Sequence, residues 1–85
     1  MRKVVLYTKS NCNFSIQAER ACKQLAELDA EFKFIVLKLN TDFTMGEFNI
    51  IFPGADLIPQ VVVDGINVGG WDDFKPQAMT KIIGN

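Results

Sequence analysis

The sequence predicts an α/β fold, a four-stranded mixed sheet flanked by helices in the order β-α-β-α-β-β-α. Three observations carry this. A short apolar run, Val4-Val5-Leu6-Tyr7, hands over to a stretch with helical periodicity. The dipeptide Asp64-Gly65 lies between two runs rich in β-branched residues. The last segment, "WDDFKPQAMTKIIG", pairs acidic residues at its start with apolar residues at helical spacing.

The first run is continuous rather than alternating, as expected of a central strand covered on both faces. After the polar link "TKSN", Ala18, Ala21, Cys22, Leu25 and Leu28 recur on one face of a helix running from about residue 13 to 29. Glu19 and Lys23 lie on the other face with i,i+4 spacing. A second strand is expected at about residues 32–39, completing a strand-helix-strand unit with a right-handed crossover. In "TDFTMGEFNIIF" a second helix is expected to start at Thr41 or Asp42, to carry the apolar residues Phe48, Ile51 and Phe52, and to stop at Pro53-Gly54. "QVVVDGINVGG" then reads as a hairpin, because Asp-Gly suits the type I′ turn, which needs positive φ at both central residues. In the final helix Asp72 or Asp73 is the expected cap and Pro76 is expected in the first turn, with Met79, Ile82 and Ile83 on the apolar face. This element order is a thioredoxin-type arrangement.

The 85 residues are expected to form one domain, residues 1–85, with no internal repeat or linker. A hydrophobic content of 48% and a net charge of −1 exclude compositional disorder and give no basic surface for nucleic acid. No apolar run approaches the roughly 18 residues of a membrane span. Neither a signal peptide nor an anchor is expected, and nothing demands more than a monomer. The chain has two cysteines and no histidine, so it cannot by itself build a structural zinc site or a Cys-His dyad. On one helix axis Cys12 and Cys22 would stand roughly 15 Å apart at about 1.5 Å per residue. That is beyond the roughly 7 Å that a disulfide allows between Cα atoms. Free thiols and a reducing, cytoplasmic setting are the expectation.

Cys12 falls where a strand hands over to a helix, close to unpaired first-turn amides and the positive end of the helix dipole, with Lys9 three residues before it. Such a place lowers a thiol pKa from about 8.5 into the range of roughly 3.5–7.5. Cys22, on the apolar stripe, reads as core. Ser15 lies one turn beyond Cys12, where its hydroxyl can donate to a thiolate or simply face solvent. Pro59 can sit only at the first residue or the edge of its strand. Gly69-Gly70 suits either close approach of a ligand or a plain strand exit. Asp72 and Asp73 suit helix capping or contact with a ligand ammonium. Phe14 and Trp71 are expected to be partly exposed aromatics beside the site.

Together, "YTKSNCNFS", "IPQVVVDG" and "VGGWDDF" resemble, in order and spacing, the three signature segments of glutaredoxins. The resemblance spans nearly the whole chain and implies a thioredoxin fold and glutathione-dependent thiol-disulfide exchange. It implies that Cys12 is the nucleophile and Lys9 a partner for a glutathione carboxylate. It also implies a cis Pro59, with the Ile58 backbone pairing with the cysteine of glutathione. Backbone from Gly70 through Trp71 to Asp72 would hold the γ-glutamyl end, completed by Asp72 or Asp73. Glutathione as cosubstrate, glutathionylated or disulfide-bearing proteins as partners, and no metal follow from the same resemblance.

The chain departs from the family pattern in three places. CNFS replaces the common CPYC, Leu57 replaces a usual threonine, and no Gln or Arg stands near Gly46 to meet the glycyl carboxylate. Without a second thiol at Ser15 the expected cycle is monothiol, whether that serine is native or replaces a resolving cysteine. Two other classes remain at this level. One is the CGFS subgroup, which shares a [2Fe-2S] cluster between two chains and carries an insertion and a Trp-Pro segment absent here. The other is a catalytically silent binding module of the same fold.

Overall fold

The computed structural model describes residues 1–84. Its elements are β1 (Lys3–Thr8), α1 (Asn13–Leu28), β2 (Lys33–Lys38), α2 (Met45–Ile51), β3 (Gln60–Val63), β4 (Ile66–Gly69) and α3 (Trp71–Gly84), in the expected order. The sheet order is β2-β1-β3-β4, with β1 parallel to β2 and antiparallel to β3, and β3 antiparallel to β4.

The apolar run of β1 is explained by its two covered faces. Val4 and Leu6 point into a core built with Ala18, Cys22 and Leu25 of α1 and Phe74 and Ala78 of α3. Tyr7 points the other way, into a smaller cluster of Phe43, Phe48 and Phe52 under α2. Its ring meets Phe43 and Phe52 edge-on, at centroid separations of 5.2 and 4.9 Å. Pairs of this kind contribute about 0.5–1.5 kcal/mol each beyond the area they bury. The hairpin turn has Asp64 at φ 50° and Gly65 at φ 84°, as a type I′ turn requires. The Asp64 carboxylate accepts from the Lys3 and Arg2 amides at 2.9 and 3.0 Å, which ties the turn to the start of β1 and lowers its pKa.

Four sequence expectations are corrected. β2 ends at Lys38, and Leu39 instead bridges to Phe43. α2 does not start at Thr41 or Asp42. Thr44 caps it, accepting from the Glu47 amide at 3.1 Å while Glu47 accepts from the Thr44 amide at 2.9 Å. This reciprocal box needs Glu or Gln three residues after the cap, which Thr44 has and Thr41 lacks. Asp42 instead accepts from the Lys38 amide at 2.8 Å. α3 starts earlier than expected, directly after Gly70, so Pro76 lies in its second turn and not its first. Proline's missing donor costs little there, because the acceptor it would have served is the carbonyl of solvent-exposed Asp72. Finally, Trp71 is buried, at 7% exposure, and packs against Phe74 within the larger core.

Candidate functional site

Thr8 ends β1 with its hydroxyl donating to the Leu37 carbonyl at 2.9 Å, which holds β1 and β2 in register where the chain leaves the sheet. Asn11 then takes a left-handed conformation (φ 56°), which asparagine tolerates better than most residues. The reversal brings Cys12 to the capping position of α1. No acidic side chain occupies the first turn of that helix, so nothing competes with a thiolate for its amides.

Partial burial opposes ionisation of Cys12. The Ser15 hydroxyl, the Ser15 and Phe14 amides and the Lys9 charge outweigh it, and the pKa is lowered from the usual thiol value. Ser15 is buried, at 4% exposure, and its oxygen also accepts from the Lys9 amide at 3.4 Å. Of the two readings open in sequence, burial excludes the one in which the hydroxyl faces solvent. Cys22 lies in the core, where burial, helped by the Glu19 charge, pushes its pKa up to about 12. Ser15→Ala is expected to raise the Cys12 pKa. The rate of Cys12 alkylation by iodoacetamide would then reach its half-maximum at a higher pH, with the plateau above it little changed. An unmoved midpoint would remove Ser15 from the account.

The Ile58-Pro59 bond is cis, and the Cys12 thiol faces the Ile58 carbonyl at 3.7 Å. Beneath this bend the buried Gln60 donates from Nε2 to the Leu57 carbonyl at 2.9 Å, bracing the loop. A groove of about 240 Å³ opens beside it, lined by Phe14, by the loop from Ala55 to Gln60 and by the start of α3. It collects Phe14, Ile58, Pro59, Gly70, Trp71, Asp72 and Asp73, every residue expected to bind glutathione except Lys9. Phe14 is 55% exposed, as expected, whereas Trp71 forms the wall from within the core. Cys12 stands at the head of the groove, across from Ile58, and is not part of its lining. Lys9 is not brought into the groove either. It lines a neighbouring hollow with Ser15 and Lys38.

Gly69 has an internal explanation. A side chain at Gly69, which has φ 112°, would collide with the Asp73 carboxylate, whereas a Cβ at Gly70 would only touch the Pro59 carbonyl, at 3.4 Å. Asp73 reaches back from the first turn of α3 to accept from the Gly70 amide at 3.1 Å, so it caps the helix from inside. The Trp71 and Asp72 amides have no intrahelical acceptor, as at any helix start. They are donors placed at the groove, available to a carboxylate.

Three groove residues, Ala55, Asp56 and Gln60, escaped the sequence reading. Gln60 could have been suspected, as an amide entering the buried strand "QVVV". Asp56 gave no signal, since an acidic residue in a loop is ordinary. Among the described residues no three His, Cys, Asp or Glu side chains cluster as a metal site, and no helix is long and apolar enough to cross a membrane.

No protein-family model and no curated protein sequence matches the chain. Solved structures do. Reduced Escherichia coli glutaredoxin aligns with a TM-score of 0.78 at 19% identity, over 91% of this chain and 93% of that one. Wheat glutaredoxin aligns with a TM-score of 0.69 at 25% identity, over 95% and 78%. Glutaredoxin 1 from Francisella tularensis aligns with a TM-score of 0.57 at 23% identity, over 98% of both. With a β2-β1-β3-β4 sheet, three helices and a cysteine heading a cis-proline groove, the chain has the thioredoxin fold in the form found in glutaredoxins.

Proposed function

We propose that the protein is a glutaredoxin-type thiol-disulfide oxidoreductase that uses glutathione, with Cys12 as its nucleophile in a monothiol cycle. The observation that carries this reading is the Cys12 thiol at the start of α1, facing the cis Ile58-Pro59 turn at the head of the groove. In the first step the Cys12 thiolate attacks the glutathione sulfur of a mixed disulfide. The S–S bond breaks, the partner leaves as a thiolate that takes up a proton, and Cys12 is left glutathionylated. In the second step a glutathione thiolate attacks that same glutathione sulfur, releasing glutathione disulfide and restoring the Cys12 thiolate. Ser15 has no thiol to resolve the intermediate and acts by stabilising the thiolate that attacks and leaves.

The γ-glutamyl carboxylate of glutathione fits the free Trp71 and Asp72 amides, and its ammonium fits the Asp72 side chain. Its glycyl carboxylate finds no cation in the groove itself, and Lys9, beside Ser15 in another hollow, is the candidate. The expected result is catalytic release of a peptide thiol from a glutathionylated peptide, with glutathione disulfide formed in equal amount, in a coupled assay with glutathione reductase and NADPH. No release above the uncatalysed rate would overturn the proposal.

A further inference from the structure

We infer that the groove selects disulfide partners in which lysine or arginine flanks the reacting cysteine, and that Asp56 is the specificity-determining residue. The inference rests on the reading of Cys12 as nucleophile. Three carboxylates line the groove, those of Asp56, Asp72 and Asp73, and no lysine or arginine does. Asp73 is occupied by the Gly70 amide, and Asp72 lies beside the free amides that open α3. Asp56 differs from both. It is exposed, sits on the loop before Leu57-Ile58-Pro59, and among the described residues its carboxylate has no hydrogen-bond or ion-pair partner.

The chemistry around it suits a long cationic side chain. Leu57 is 69% exposed and adjoins Asp56 in the chain, so an aliphatic stem can lie along it while the charged head meets the carboxylate. Phe14 also lines the groove and is 55% exposed, so an aromatic ring is available to a cation there. Lys9 and Lys38 line the other hollow and not this groove. An acidic segment would set its carboxylates against Asp56 and Asp72 with no compensating cation.

The test uses two peptides identical except for Lys or Glu on either side of one cysteine, each activated as a 2-thiopyridyl disulfide. Cys12 thiolate attacks the peptide sulfur and the thiopyridyl sulfur leaves as the coloured thione, so the charge preference is read whether or not glutathione turns over. The expected result is a Lys-over-Glu rate ratio at least about fourfold above that of N-acetylcysteine amide as a reference thiol, on Coulombic grounds. Asp56→Asn should cut the ratio about two- to threefold, and molar salt should nearly abolish it. A ratio equal to the reference thiol's, or one untouched by Asp56→Asn, would overturn the inference. A preserved ratio without glutathione turnover would instead overturn the glutathione reading and leave this one standing.

Discussion

A Cys12→Ser chain is expected to lose thiol-disulfide exchange by about a thousandfold or more, the scale on which removal of an essential nucleophile falls. A serine hydroxyl is essentially never ionised near neutral pH, so the stabilisation offered by the α1 amides and Ser15 has no anion to act on. Cys22 cannot substitute. It is fully buried in the core, and with a pKa of about 12 it is a neutral thiol at any physiological pH. The fold should survive, because the Cys12 side chain is partly exposed and belongs to neither core cluster. Circular dichroism and the unfolding midpoint should therefore stay near those of the parent while the coupled assay falls to background. Retention of more than about a tenth of the activity would place the chemistry elsewhere.

The largest expected effect on stability is that of Phe74→Ala, at about 3–5 kcal/mol. Phe74 is completely buried where α3 meets α1 and the sheet, and its ring lies 6.2 Å from that of Trp71. Removing it leaves a cavity that rigid neighbours cannot fill. Domains of this size are held together by about 5–15 kcal/mol, so the variant should be unfolded or nearly so at modest urea concentrations. A shift of less than about 1 kcal/mol in a urea titration would mean that the core repacks around the gap. Because Phe74 supports Trp71 and the start of α3, partial loss of this packing should also loosen the groove wall.

How much of this was legible in the sequence depended on the range of the interactions involved. The hairpin was readable because Asp64-Gly65 states its turn type locally, and the structure has the positive φ values that this implies. The two-faced burial of β1 was readable because four successive apolar residues leave no polar face. The start of α2 was misplaced although its signal, Thr44 with Glu47 three residues on, was present. Thr41 and Asp42 looked equally good until the reciprocal hydrogen bonds separated them. Pro76 misled for a different reason. Its preference for a first turn is only statistical, and the cap made by Asp73 on Gly70 started the helix earlier.

The site divides in the same way. Sequence alone determined that Cys12 opens a helix with Lys9 nearby, that Cys22 belongs to the apolar stripe, and that no second thiol follows at Ser15. These are statements about neighbours along the chain, and helix geometry converts them directly into positions in space. Only the tertiary structure decided that Ser15 turns inward to the thiol, that Trp71 is wall and not rim, that Lys9 stands outside the groove, and that Asp56 stands within it. The last of these and the burial of Trp71 depend on how the cis-proline loop and the start of α3 meet at the groove. The approach of Gly70 to Pro59 is made by residues far apart in the sequence, and no local pattern of residues specifies it.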